Sequence, residues 1–173
     1  YWDCSIDTLF WNCPNVSISQ LKRLYRDSLK FVSIGADVTG IEEAAFASCS
    51  ILDSVYISEG VTSIEDGAFQ YCRKLKSVNI PGSVTSIGNN AFAQCGLTSI
   101  SIPESVTSIG YGVFSGCPLP NGVLYINDIL YDYIGIMPDS TTIVVKDGTK
   151  KIADGAFADC RGLTSITIPE SVT

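Results

Sequence analysis

The sequence of 173 residues contains no histidine. Without an imidazole the chain has no Cys–His or Ser–His–Asp nucleophile pair and no imidazole ligand for a metal ion. Charged residues are also scarce, at 17%, and 18 acidic residues against 11 basic ones give a net charge of −7. An acidic chain is poorly suited to the phosphate backbone of nucleic acids or to an anionic membrane surface.

Other absences narrow the possible functions further. No hydrophobic run approaches the roughly 20 residues that a membrane-spanning helix needs. The chain has neither a P-loop nor a G-x-G-x-x-G fingerprint, and its cysteines lack the C-x-x-C spacing of zinc sites. Acidic pairs such as Glu42–Glu43 and Glu65–Asp66 recur in turns, which is more typical of a solvated surface than of a glycosidase or calcium site. We therefore expect no enzymatic activity, no metal and no cofactor.

The chain does contain a repeat, which a series of phenylalanines marks. These residues are spaced by 23, 23, 22 and 43 positions: Phe46, Phe69, Phe92, Phe114 and Phe157. A cysteine follows each of them by three positions: Cys49, Cys72, Cys95, Cys117 and Cys160. An isoleucine precedes each by five positions, and β-branched residues precede each by 12 and 14. A fixed period in this range is the signature of a solenoid.

The apolar positions of one repeat predict its local structure. The residues 14 and 12 positions before the phenylalanine alternate with an outward residue, which predicts a strand with one buried face. Those outward residues include Ser33, Tyr56, Asn79 and Ser101. A second, weaker extended piece follows, and then a tight turn. Glycine or asparagine usually stands two positions before the phenylalanine, which predicts a left-handed backbone there. Ala44 is the exception.

A single repeat buries too little apolar surface to be stable alone, so neighbouring coils must stack on one another. Stacking coils of one period bring equivalent side chains together. We therefore expect the five phenylalanines to form one column inside the solenoid.

These residues resemble a known family. The pattern L-T-S-I-x-I-P-x-S-V-T-S-I-G-x-x-A-F-x-x-C, which Lys74–Gly96, Leu97–Cys117 and Leu163–Thr173 follow closely, is similar to the BspA-like (Treponema-type) leucine-rich repeat. Ser28–Ser50 and Ile51–Arg73 match it in their apolar positions. The resemblance implies an α/β fold: a right-handed leucine-rich-repeat solenoid with a parallel β-sheet on its concave face and short helical turns. It also implies a secreted or surface-attached bacterial protein with a role in adhesion.

The repeat divides the chain into four parts. Residues 1–30 are irregular, with an apparent decayed repeat at Phe10–Cys13 and an amphipathic helix over Ser17–Leu29. That helix either offers a basic contact surface or, as we prefer, covers the first coil. Four regular repeats occupy 28–117, an insertion or variant repeat 118–141, and a repeat that runs into an incomplete one 142–173. Because the chain starts without Met and ends within a repeat, we expect it to be a piece of a longer protein.

The interruption at 118–141 contains a predicted hairpin. Gly122–Ile134 alternates in polarity and turns at Asn127–Asp128. Alternation places Tyr125, Tyr131 and Tyr133 on one face, with Asp132 opposite. Clustered tyrosines suit a binding site, but a purely structural variant repeat explains them equally well.

The leading functional hypothesis is a protein-binding, adhesion-type module of a larger secreted or cell-surface protein. The candidate contact residues are the outward strand residues and the hairpin tyrosines: Tyr56, Asn79, Ser101, Tyr125, Tyr131 and Tyr133. One alternative is a glycan-binding module that stacks tyrosines on sugar rings. Another is a passive spacer that sets the distance between neighbouring domains.

The seven cysteines predict free thiols rather than a disulfide framework. Five of them share one repeat position, which suits small buried side chains filling the same niche in every coil. Cys4 lies outside this pattern and is a candidate for pairing with Cys13.

We expect most cysteines to be alkylated when the protein is denatured without reductant, because buried thiols become accessible on unfolding while disulfides stay closed. Intact mass before and after alkylation measures this. A mass shift that leaves six of the seven cysteines unmodified, as three disulfides require, would contradict the prediction.

Overall fold

The computed structural model describes the backbone of residues 8–11 and residues 26–173 in full. The chain forms two compact units, Tyr1–Pro118 and Leu119–Thr173. Both are built from parallel strands of successive coils, so the predicted solenoid is confirmed. Among the described residues there is no helix, and hydrogen-bonded turns replace the expected short helical turns. The helix predicted over Ser17–Leu29 falls largely outside the described residues.

The first unit contains two parallel sheets. Its strands are β1 (Thr8–Trp11), β2 (Phe31–Ile34), β3 (Gly40–Ile41), β4 (Ser54–Ile57), β5 (Ser63–Ile64), β6 (Ser86–Ile87) and β7 (Ser108–Ile109). One sheet has the order β1-β2-β4 and the other β3-β5-β6-β7. The first sheet therefore contains first strands of successive coils, and the second sheet contains the second strands of four coils.

The first strands show the predicted alternation of burial. Val32 and Ile34 are fully buried in β2, and Val55 and Ile57 are buried in β4. The same alternation continues over 77–80 and 99–102, but the structure assigns no strand there. One backbone hydrogen bond that follows the first strand is absent in these two coils, because the donor residue is a proline. The Ser58 N–H donates to the Ile34 carbonyl at 3.2 Å, and the equivalent Pro81 and Pro103 have no N–H.

The second strands form the more continuous sheet, although the sequence pattern makes them the weaker prediction. Ser63 pairs with Ser86 and Ser86 with Ser108, in one register through the four coils. Threonines reinforce this sheet at its edge. Both the backbone N–H and the hydroxyl of Thr62 donate to the Thr39 carbonyl, at 2.8 and 2.9 Å.

Each turn contains two left-handed residues. The one predicted two positions before the phenylalanine is confirmed, with φ between 51° and 74° at Ala44, Gly67, Asn90, Gly112 and Gly155. A second lies two positions after the phenylalanine, with φ between 58° and 70° at Ser48, Tyr71, Gln94, Gly116 and Asp159. Four of the five residues in this second set are not glycine, so residue type alone gave no signal for it.

Four phenylalanine rings form a column in the first unit. The centroids of Phe46 and Phe69 lie 5.2 Å apart, those of Phe69 and Phe92 5.3 Å, and those of Phe92 and Phe114 6.1 Å. The rings are within 11° of parallel and almost completely buried. This part of the predicted column is confirmed. Phe157 belongs to the second unit, where it is half-buried and packs against that unit's core.

The repeated cysteines are free thiols, of which four are buried in the first unit and Cys160 is half-buried in the second. The thiol of Cys72 donates to the Phe46 carbonyl of the preceding coil at 3.2 Å, and the same contact recurs from Cys95 to Phe69 at 3.0 Å. Each phenylalanine carbonyl also accepts the N–H of the cysteine three residues later. The thiol thus occupies the second acceptor site of a buried carbonyl.

The second unit contains five strands: β8 (Gly122–Ile126), β9 (Ile129–Ile134), β10 (Thr141–Val144), β11 (Lys151–Ile152) and β12 (Leu163–Thr167). β8 and β9 are the predicted antiparallel hairpin, and β9 also pairs in parallel with β11. β10 and β12 pair in parallel as first strands. The core consists of Leu130, Met137, Ile143, Val145 and Ala156.

The register of β1 corrects the interpretation of Phe10–Cys13. Phe10 pairs with Ser33 in the first sheet, so it occupies a strand position and not that of the repeat phenylalanine. Cys4 and Cys13 lie outside the described residues.

Phe92→Ala, which removes a ring from the middle of the column, should lower the unfolding free energy by about 3–5 kcal/mol. The cavity that it leaves removes ring contacts on both sides. Chemical denaturation of the purified chain measures it. Tyr111→Ala is the matched control, since that ring is 66% exposed and should cost less than about 0.5 kcal/mol. Equal losses in the two variants would contradict the buried column.

Candidate functional site

The outward residues of the first strands form a continuous uncharged surface in the first unit, which we call the first-strand strip. Its members are Phe31, Ser33, Ser54, Tyr56, Ser77, Asn79, Ser99 and Ser101. Phe31 pairs with Ser54, and Ser33 with Tyr56, in the register of β2 and β4. The paired strands β2 and β4 hold four of these side chains in register, which favours recognition of a partner. The other four continue the pattern on segments without an assigned strand: Ser77, Asn79, Ser99 and Ser101.

The structure exposes the predicted members of this strip. Tyr56 is 57% exposed. Asn79 and Ser101 are exposed at the same repeat position in the next two coils. Tyr56 is thus the one large exposed side chain in a strip that is otherwise mostly small and polar.

The second unit has an equivalent strip. Thr142 and Val144 of β10 pair with Ser165 and Thr167 of β12, and all four are exposed. Val144 is 71% exposed. The repeat phase alone identifies it as an outward residue, but it was not among the residues predicted to bind.

The hairpin tyrosines do not share one exposed face, which corrects the sequence prediction. A β-bulge shifts the register between Leu124 and Tyr125, so that Leu124 faces Asp132 and Tyr125 faces Leu130. Tyr131 is the extra residue of the bulge and is only 6% exposed. Simple alternation misplaces it because a bulge breaks the period of two.

The other two tyrosines belong to the core of the second unit. Tyr125 and Tyr133 are half-buried and pack against the cluster around Leu130. The hydroxyl of Tyr125 accepts a hydrogen bond from the Lys146 N–H at 2.9 Å. These contacts give both rings a structural role. The sequence did not reveal it, because the regular repeat pattern is interrupted at the hairpin.

The hydrogen bonds of the hairpin identify it as a modified coil. The Tyr133 N–H donates to the Ala156 carbonyl at 2.9 Å, as the Phe69 N–H donates to Ala91 in a regular coil. Leu130 pairs with Ile152 in the manner of the second-strand isoleucines. Tyr133 therefore occupies the hydrogen-bonding position that the repeat phenylalanine has in a regular coil.

A comparison with family models assigns the chain. A model described as BspA type Leucine rich repeat region matches residues 4–121 and 136–173 in six copies. The chain belongs to this BspA-type leucine-rich-repeat family. The match leaves out residues 122–135, which include the whole β8–β9 hairpin.

Solved structures of leucine-rich repeat proteins agree with the fold. A leucine-rich repeat protein from Bacteroides ovatus is 28% identical with a TM-score of 0.65, over 95% of this chain and 42% of its own. The Leucine Rich Repeat protein of T. pallidum is 29% identical with a TM-score of 0.55, over 83% of this chain and 58% of its own. A third, from Eubacterium ventriosum, is 25% identical with a TM-score of 0.58, over 96% of this chain and 55% of its own.

The chain thus spans about half the length of these solved proteins. No protein with a curated function matches it significantly. In the part of this BspA-type chain that the structure describes, no helix is long and apolar enough to cross a membrane.

Three described thiols of this BspA-type chain have a raised pKa: Cys72, Cys117 and Cys160. Burial raises the pKa of Cys117 to about 12. A side-chain hydrogen bond with Cys95, together with burial, raises the pKa of Cys72. Burial and the nearby carboxylates of Asp132 and Asp159 raise the pKa of Cys160. Because the thiolate is the reactive form, these cysteines act as packing and hydrogen-bonding groups.

Neither unit presents a cluster of metal ligands within the described residues, where no three acidic or cysteine side chains converge. Asp132 is the carboxylate with a perturbed environment. Burial raises its pKa, while the hydrogen bond that its Oδ1 accepts from the Tyr133 N–H opposes the shift. The candidate site is therefore the first-strand strip, and its chemistry is contact and hydrogen bonding.

Tyr131→Ala should lower the unfolding free energy by about 3 kcal/mol, because it removes a buried aromatic ring from the hairpin. Tyr56→Ala should lower it by less than about 1 kcal/mol, since most of that ring is exposed. Equilibrium denaturation monitored by circular dichroism compares the two variants. A Tyr131 variant as stable as the parent protein would show that the ring is not part of the core.

Proposed function

We propose that this chain is a non-catalytic protein-binding module, with the first-strand strip as its contact surface, in a larger secreted or cell-surface protein. The observation that carries the proposal is the exposed ring of Tyr56, which pairs with Ser33 in a parallel sheet. Aromatic residues are enriched at protein interfaces, and charged ones are depleted at their centres.

Several features support a binding role over a catalytic one. Tyr56 pairs with Ser33 of the neighbouring strand and lies beside Ser54 on its own strand, so its neighbours in the strip carry small hydroxyl side chains. Four of the five described thiols are buried, and burial raises the pKa of Cys117 to about 12, so that thiol lacks the reactivity of a catalytic cysteine. Burial also protects these four thiols from oxidation, which is consistent with the proposed extracellular location.

A glycan-binding role is the second candidate. An exposed tyrosine beside serines, such as Tyr56 beside Ser54, is suited to stacking on a sugar ring while hydroxyls bond its edges. The two candidates use the same strip but differ in the chemical class of the ligand.

Arrays of purified extracellular proteins and of glycans, probed in parallel with the fluorescently labelled chain, separate these roles. Protein binding predicts saturable signal on one or more proteins, weakened at least about tenfold in Tyr56→Ser by loss of a central aromatic contact. Tyr111→Ser, an exposed tyrosine in a turn away from the strip, is the control and should bind normally.

Signal on glycans alone would contradict the protein-binding proposal and support the second candidate. Blank arrays, or protein binding that Tyr111→Ser weakens as much as Tyr56→Ser, would contradict a recognition role for the strip and leave that of a spacer.

A further inference from the structure

The charges that border the first-strand strip are segregated by sign. Every lysine and arginine between residues 26 and 118 lies just before a first strand or its equivalent: Arg26, Lys30, Arg73, Lys74 and Lys76. Carboxylates follow those strands at Asp37, Glu59 and Glu104. All eight side chains are exposed. We call the first set the basic edge and the second set the acidic edge.

Hydrogen bonds between coils align each edge along the unit. At the basic edge, the Asp53 N–H donates to the Lys30 carbonyl at 2.9 Å and the Thr98 N–H to the Lys76 carbonyl at 3.2 Å. At the acidic edge, the Ser83 N–H donates to Glu59 Oε2 at 3.2 Å. The coils are therefore in phase at both ends of the first strands, and the two edges run along opposite sides of the strip.

The segregation has two exceptions, both on the basic edge. Asp27 forms an exposed ion pair with Arg26, whose Nε lies 3.3 Å from Asp27 Oδ1. Asp53 lies between the coils of Lys30 and Lys76. Five cations against two carboxylates still leave this edge positive, while no cation borders the acidic edge between residues 26 and 118.

The strip between the edges is uncharged and rich in small hydrogen-bonding groups. Ser77, Asn79, Ser99 and Ser101 are exposed there beside Tyr56. An extended peptide offers unpaired backbone N–H and C=O groups to such side chains, whereas a helix has already satisfied its own. The strip is therefore better suited to an extended segment than to a helix.

The width of the strip sets the length of the segment. Lys30 of the basic edge precedes Asp37 of the acidic edge by seven residues, and Asp53, at the repeat position of Lys76, precedes Glu59 by six. Six residues of extended chain cover about 20 Å. A segment lying along the strands would therefore reach both edges with charges about six residues apart.

We propose that the first-strand strip binds an extended protein segment that carries acidic side chains at one end and basic side chains at the other. The acidic end lies at Arg73, Lys74 and Lys76, and the basic end at Glu59 and Glu104. Complementary charges on the two edges fix the direction of the segment, while the uncharged strip between them binds its centre. This proposal rests on the protein-binding function proposed above and specifies the chemistry of the partner.

Selection from a phage-displayed library of random dodecapeptides, panned against the whole chain, tests the proposal. Enriched peptides should have an uncharged or aromatic centre with acidic and basic residues segregated to opposite ends. Their affinities, measured with synthetic copies by fluorescence polarisation, should fall as salt rises, because the edge charges are exposed.

Charge reversal identifies the edges. Lys74→Glu with Lys76→Glu, and separately Glu59→Lys with Glu104→Lys, should each weaken binding about tenfold, since each replaces two exposed attractions by repulsions. Lys150→Glu with Lys151→Glu in the second unit, and Glu43→Lys with Glu65→Lys in the turns, are the matched controls and should bind normally. Circular dichroism melting verifies that each variant is folded.

A sign exchange completes the test. A variant that carries the charge reversals of both edges should bind best to a peptide whose acidic and basic ends are exchanged. Neither misfolding nor a general loss of affinity would produce this change of preference. Glu59→Lys also removes the acceptor of the Ser83 N–H. Glu104→Lys alone, with Glu43→Lys as its control, tests the acidic edge without that loss.

The outcomes distinguish the two proposals. If Tyr56→Ser weakens peptide binding but no charge reversal does, the charge-directed orientation is overturned and protein binding at the strip still stands. Peptides that ignore both Tyr56→Ser and the reversals would overturn both proposals. Absence of any enriched peptide would overturn the extended segment, and the protein array would then decide the function independently.

Discussion

The fold depends on contacts that each coil can make only with its neighbours. A phenylalanine ring of one coil stacks on that of the next at 5.2 to 6.1 Å. The backbone carbonyl of each such phenylalanine accepts a hydrogen bond from the thiol of a cysteine in the next coil, as Phe46 does from Cys72. Backbone bonds then close both sheets between coils. An isolated coil would leave the ring exposed and the carbonyl partly unsatisfied, so stability resides in the stack.

The same regularity creates the candidate site. Because the coils repeat in register, residues at one repeat position line up whether they face the interior or the solvent. Buried positions such as that of Phe92 produce the column, and outward positions such as that of Tyr56 produce the strip. The strip needs no separate scaffold, and the variation among its outward residues is what distinguishes this chain's surface from another of the family.

The repeat period made much of the fold predictable. The strand alternation at Val32 and Ile34, the left-handed residues such as Gly67 and the burial of the cysteines all follow from side-chain chemistry at fixed spacing. The second left-handed position did not follow, because residues such as Tyr71 have no preference for it. The predicted exposure of Tyr131 was wrong because a β-bulge depends on the pairing between two strands. The alternation of residues along one strand gives no information about that pairing. Among candidate residues, Tyr56, Asn79 and Ser101 are exposed as expected, and their role in binding stays a prediction.

A double-mutant cycle on the ring column tests the dependence of each coil on its neighbours most directly. Phe69→Leu and Phe92→Leu, alone and together, should show a coupling of about 0.5–1.5 kcal/mol in unfolding free energy, because stacked rings interact beyond their burial. The cycle of Phe46→Leu with Phe114→Leu, which are separated by two rings, should be additive within about 0.5 kcal/mol. Additive losses for the adjacent pair would show that the rings are buried independently and would contradict a fold held together by contacts between neighbouring coils.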